Sequence, residues 1–185
     1  MFVRLAKVKD CQEIYDLIKD GDSGMTTLPK SKDEVLERIR WSKKSLNKKT
    51  KRPDKDSYLF VLKDNNRIVG ISAIYTSVSK NGTSVFFKQK KKIISSKVFK
   101  FKKSLDVIQL HKVKNPYTEL GTLFLHPDFR AKGRGSLLSL ARFKFMALWP
   151  ERFDQKVVAE IRGKVDKYDN SIFWKYFSKY FFDEE

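Results

Sequence analysis

The residues best suited to chemistry in this chain lie between Leu120 and Trp149. An apolar run, Leu120-Gly121-Thr122-Leu123-Phe124-Leu125, stops at His126-Pro127-Asp128-Phe129. A basic, glycine-bearing loop follows, Arg130-Ala131-Lys132-Gly133-Arg134-Gly135, and Ser136 opens a helix-like segment. A strand, a loop and a helix N-terminus in that order present backbone N–H groups and a positive dipole end to an anion. Gly133 and Gly135 can take backbone angles closed to other residues and hold no side chain between the backbone and a phosphate. Arg130, Lys132 and Arg134 add positive charge, and arginine suits forked contacts with phosphate oxygens. A plain basic turn is the competing reading, because short glycine patterns recur by accident.

The elements that must position this loop follow from periodicity. Phe2 to Leu5 reads as a short strand. Asp10 can cap a helix from Cys11 to about Lys19, with Ile14, Leu17 and Ile18 on one face. Ser31 and Glu34 form a capping-box pattern ahead of Val35, Leu36 and Ile39, for a helix to about Ser45. Asn47 to Asp56 reads as a polar loop. Tyr58 to Leu62 and Arg67 to Ser77 read as a hairpin turning at Asp64-Asn65-Asn66. Residues 80 to 104 mix lysines with apolar pairs and are expected to be extended, and Leu105 to Val113 can add a strand. Leu120 to Leu125 is a strand, Leu137 to Leu148 a helix, Val157 to Arg162 a strand and Ile172 to Phe182 an aromatic helix. Helices packed on a mixed sheet make an α/β layer.

Composition sets bounds. A length of 185 residues suits one domain, and 41% apolar content is enough for a core. The formal charge of +18 favours acidic partners such as nucleic acid, anionic membrane or polyphosphate, or reflects a lysine-rich solvated surface. The lone Cys11 permits no internal disulfide, as expected of a reducing cytoplasm, and reads as buried filler. No apolar run reaches transmembrane length and the N-terminus lacks a signal peptide's apolar stretch. No metal-type Cys/His spacing is present. His126 reads as an exposed turn residue and His111 as incidental.

Arg130 to Gly135 resembles the Q/R-x-x-G-x-G/A signature of the GNAT acyltransferase superfamily. Glu119 to Arg130, Leu137-Leu138-Ser139, Arg142 to Met146, Val157 to Gly163, and Gly24-Met25-Thr26-Thr27-Leu28-Pro29 resemble segments of the arginine N-succinyltransferase family, in the same order. The resemblance runs from about residue 2 to 182 and is weakest between Ser79 and Asn115. It implies a single GNAT-like domain over 1–185, with a variable insertion at about 79–118. The implied fold is a GNAT-like mixed β-sheet flanked by helices, incomplete at its C-terminal side. It also implies transfer of succinyl from succinyl-CoA to the α-amine of L-arginine in arginine catabolism.

Under the resemblance Leu123, Phe124, Leu125, Arg130, Lys132, Gly133, Arg134 and Gly135 bind the coenzyme, with Leu123 on the family's succinyl-CoA position. Thr26 and Thr27 are candidates for the acceptor pocket; a helix-connecting turn is the alternative. Glu160 binds the acceptor's amine or guanidinium, or pairs inside a strand with a base such as Arg162. No metal is expected. The family's catalytic histidine belongs to a second half with no counterpart here, so no catalytic residue is assigned and the partner is a complementary C-terminal half or a homo-oligomer. Two other readings stand beside this one: an inactive truncated GNAT-like protein, and a basic nucleic-acid-binding module, which no recognition motif favours. The Phe173, Trp174, Tyr176, Phe177, Tyr180, Phe181, Phe182 cluster is expected to be core, or a docking face.

Overall fold

Apolar spacing decides which segments bury a face. The computed structural model describes residues 1–19, 28–79, 84–113, 115–161, 163–166, 168 and 170–181. Its elements are β1 (Phe2–Leu5), α1 (Cys11–Lys19), α2 (Lys32–Asn47), β2 (Ser57–Asp64), β3 (Arg67–Val78), β4 (Ser84–Ser96), β5 (Phe101–Val113), β6 (Tyr117–Leu125), α3 (Arg134–Leu148), β7 (Val157–Val158) and α4 (Ile172–Phe181). The main sheet has five strands in the order β1-β2-β3-β6-β7; β4 and β5 form a separate two-stranded sheet. All neighbours in the main sheet are antiparallel except β6 and β7, which are parallel. This is the expected mixed sheet flanked by helices.

The central strands β2 and β3 are buried on both faces, as strands covered by helices on both sides must be. One face packs Ile14, Val35, Ile39, Leu59, Val61, Ile71 and Phe124 under α1 and α2. The other packs Tyr58, Phe60, Ile74, Phe145 and Phe153, with Leu62, Val69, Leu125 and Leu138 beside them, under α3. α3 can lie this close because β3 carries Gly70. A Cβ there would meet Leu125 Cδ1 at 2.9 Å, Leu138 Cδ2 at 3.0 Å and the Phe124 carbonyl at 3.0 Å.

Polar side chains finish the ends. The Ser31 hydroxyl accepts from the Glu34 amide at 3.2 Å, the expected α2 cap, but Glu34 Oε2 reaches the Lys30 amide rather than that of Ser31. Beyond β1 the amides of Ser57 and Leu59 have no strand partner and donate to the buried hydroxyls of Ser45 and Ser42, at 3.1 and 2.9 Å. Arg152 donates to the carbonyls of Ser45, Leu46 and Lys48 and so covers the C-terminal end of α2. Asp10 is only 3% exposed and receives a fork from Arg4 at 2.6 and 2.9 Å and the Lys7 amide at 2.7 Å. Burial pushes its carboxyl up, but the Arg4 fork and the Lys7 amide prevail and hold it below the usual carboxylate range.

One segment differs from the expectation, and another meets it in a definite form. β7 spans only Val157–Val158, not Val157 to Arg162, because it pairs with β6 at Thr118 and Glu119 and then leaves the ladder. The ambiguous stretch after Ser79 is one long hairpin, β4–β5, that stands off the main sheet as its own ribbon. Its lysines and apolar residues alternate on both faces, so most of it stays exposed.

Candidate functional site

β6 carries the site, and an irregularity in it sets the geometry. Its register against β3 slips between Ala73↔Gly121 and Ile71↔Phe124, so β6 holds one residue more than its partner. Thr122, at the slip, has φ of 51°, unusual for a β-branched residue. Its hydroxyl shares a 3.1 Å hydrogen bond with Tyr75 Oη, which accepts from Arg38 Nη1 at 3.1 Å. On the far side from β3, β7 accompanies β6 only at Thr118 and Glu119. Asp154 anchors that junction, accepting from the Ser77 amide at 2.8 Å and from Thr118 Oγ1 at 3.0 Å. Among the described residues, no strand covers that edge of β6 from Leu120 to Leu125.

The chain then turns through Pro127–Phe129, where His126 Nδ1 accepts from the Asp128 amide at 3.3 Å, the turn role expected of it. Lys132 and Gly133 both take left-handed backbone, with φ of 54° and 73°. A Cβ on Gly133 would meet nothing within 4 Å, so backbone angle and not space is what requires glycine there. Gly135 does not share this conformation; it lies inside the first turn of α3. Gly133 is the residue preceding α3, and it has no side chain to cap the helix. Leu137 N–H bonds the Gly133 carbonyl and Arg134 N–H the Ala131 carbonyl, at 2.9 and 3.3 Å. Among the described residues no carbonyl accepts from the amides of Lys132, Gly133, Gly135 or Ser136. The first turn of α3 contains no acidic residue to offset the helix dipole.

These amides open on a cavity of about 430 Å³ lined by Leu123, Phe124, Leu125, Arg130, Ala131, Lys132, Gly133, Arg134, Gly135 and Ser136. Every residue that the sequence assigned to coenzyme binding lines this one space. Leu123 is 41% exposed on the open edge of β6. The basic side chains divide the work unevenly. Arg130 Nε donates to the Leu125 carbonyl at 3.0 Å, and Arg134 lies 3.8 Å from Asp64 and over the Phe129 ring at 5.2 Å. Lys132 makes no ion pair among the described residues.

The acceptor-side candidates fare differently. Thr26 and Thr27 lie outside the described residues. Glu160 is exposed just beyond the short β7, not inside a strand, and Arg162 lies outside the described residues. Glu160 does approach Glu119 closely enough to matter. Burial, and then the charge of Glu160, raise the Glu119 carboxyl above its ordinary value. Sequence reasoning missed the polar group of Glu119, Tyr75, Thr122 and Arg38 at the bulge. The signal was there in part, since Glu119 is the single acid in the β6 sequence. His111 is exposed on β5. Among the described residues, no three His, Cys, Asp or Glu side chains converge as a metal-ligand set. Among the described residues no helix is long and apolar enough to cross a membrane.

Comparison with known proteins places this site in a family. The family model described as arginine N-succinyltransferase beta subunit matches residues 1–185. The chain is 35% identical to an arginine N-succinyltransferase of Yersinia pestis over 189 residues, covering all of this chain and 53% of that protein. It is 33% identical to the arginine N-succinyltransferase subunit beta of Pseudomonas aeruginosa, covering 54% of that protein. The solved structure of arginine/ornithine succinyltransferase subunit AI from Pseudomonas aeruginosa superposes with a TM-score of 0.83 at 28% identity, over 99% of this chain and 56% of that one. The chain thus spans about half the length of the curated relatives it matches. With its whole length matched, this chain belongs to the arginine N-succinyltransferase beta subunit family.

Proposed function

We propose that this chain supplies the coenzyme-binding half of an arginine N-succinyltransferase, which moves succinyl from succinyl-CoA to the α-amine of L-arginine. The observation that carries the reading is the uncapped N-terminus of α3. Among the described residues no carbonyl accepts from four of the amides there, and those residues line a cavity beside a strand edge that no described strand covers. The free amides at a helix N-terminus take an acceptor from outside the helix, and the dipole prefers an anionic one. A coenzyme diphosphate fits that demand, with Lys132 as the nearest uncommitted cation. The pantetheine arm then follows the edge of β6 from Leu125 past Leu123, a stretch that no strand covers among the described residues. The bound thioester supplies the electrophilic carbonyl for the amine.

Glu160 and Glu119 lie at the other side of the bulge, where a cationic acceptor would find negative charge in an otherwise strongly basic protein. Thr26 and Thr27 remain assigned to that acceptor pocket. The family resemblance puts the proton-transfer histidine in a complementary half, so the chain acts with that half, and the reading places it in the cytoplasm. Calorimetric titration of the purified chain with succinyl-CoA tests the coenzyme site. One-to-one binding, displaced by free coenzyme A and weakened tenfold or more in R130A/R134A, is expected. A folded sample that gives no binding refutes the proposal.

A further inference from the structure

α3 buries a cation that no acid among the described residues neutralises. Arg142 is 4% exposed, on the core-facing stripe between Leu138 and Phe145. Its Nε donates to the Ser139 carbonyl at 3.4 Å and its Nη2 to Ser139 Oγ at 2.9 Å. Its Nη1 donates to the Gly121 carbonyl at 3.3 Å. A guanidinium carries five N–H groups, so these three bonds leave two over. Among the described residues no carboxylate pairs with it, and burial draws its pKa down from the ordinary value. A leucine or methionine would fill this stripe without the penalty of an uncompensated buried charge. A structural role as a prop for the bulge needs one N–H, not a permanent charge.

Position supplies the reason. α3 runs back along β6, with Leu138 beside Leu125, Arg142 at Gly121, and Phe145 and Met146 against Leu120. Seven residues of helix separate Gly135 from Arg142, about 10 Å. A carrier whose diphosphate sits at Gly135 and Ser136 lays its arm along the open edge from Leu125 towards Gly121. Its acyl end therefore arrives beside the bulge that Arg142 touches. We infer that Arg142 is the counter-ion for a carboxylate at the far end of the acyl group, so that the site selects coenzyme A thioesters of dicarboxylic acids over uncharged ones. The inference rests on the coenzyme reading above and adds to it the residue that reads the acyl chain.

The test compares succinyl-CoA with butyryl-CoA, which has the same four-carbon length and a methyl group in place of the carboxylate. Equilibrium binding to the full chain is measured at about 0.3 M salt, so that the general basic charge is screened. Succinyl-CoA is expected to bind at least tenfold more tightly, the scale of a charge-assisted fork. In R142M the two esters should bind alike, and R142K should retain part of the preference. Equal binding of both esters by the unaltered chain overturns the inference while leaving the coenzyme site intact, as does an R142M protein that keeps the full preference. Binding of neither ester sinks both. Should R142M fail to fold, R142Q supplies the same comparison.

Discussion

Substituting Gly135 by aspartate separates the demands of stability from those of binding. A Cβ at Gly135 meets only Leu125 Cδ2, at 3.9 Å, so the side chain enters without a clash. It stands in the first turn of a helix that has neither a side-chain cap nor an acid. A carboxylate there gains about 0.3–1 kcal/mol from the dipole, and replacing glycine adds a few tenths more. The expected gain is about 1 kcal/mol, or roughly 2–4 °C in Tm for a chain of this size. The same carboxylate would stand about 5 Å from a diphosphate held on those amides. At an effective dielectric of about 20, each unit of like charge at that distance costs about 3 kcal/mol, a loss of roughly two orders of magnitude in affinity. G135D should therefore melt higher and bind succinyl-CoA far more weakly, read by differential scanning fluorimetry and calorimetry on the same sample. An affinity within threefold of the unaltered chain would refute the placement of the diphosphate.

Three further outcomes test the frame around the site. G70A drives a methyl group into Leu125, Leu138 and the Phe124 carbonyl and should cost about 1–3 kcal/mol, seen as a lower urea midpoint. Asp10 titrates below its unfolded value near 3.9, so its stabilisation is complete above that pH and is lost as the pH falls through the folded value; D10N should cost about 3 kcal/mol at neutral pH and flatten the acid limb of a stability profile. Glu119 shifts the other way. Its folded pKa is raised, so its ionisation weakens the fold as pH rises past the ordinary glutamate range, and E119Q should raise Tm at pH 7 and leave it unchanged near pH 4.

Much of the proposed coenzyme site is legible in the sequence because local rules govern it. The apolar run of β6, the left-handed need at Gly133 and the periodicity of α3 each point the same way, and the structure brings their residues around one cavity. What escaped depends on non-local geometry. Thr122 takes a backbone angle that its β-branched side chain disfavours, so the bulge has no propensity signature. β7 parts from β6 after Glu119, one residue past the Thr118 that Asp154 ties to Ser77, and no spacing in Val157 to Arg162 reveals it. Arg142 shows in the sequence only as a charge interrupting an apolar stripe. The aromatic periodicity of α4 suggested core, but the helix follows the shortest strand and makes no extended packing with the sheet; Phe173, Trp174, Tyr176 and Tyr180 are exposed, as the docking-face alternative requires.

The β4–β5 ribbon leaves and rejoins the sheet at a single rung, since Val78 stands opposite Tyr117. Its attachment is a small knot of Ser79, Ser84, Tyr117 and Phe86. β4 and β5 thus form an appendage whose attachment points already meet, and a short turn in its place would join β3 to β6 as an ordinary hairpin. Lengthening, trimming or decorating this arm leaves the β3–β6 rungs and the amide cradle behind them undisturbed. Evolution can therefore rewrite it freely while the rest of the domain stays fixed.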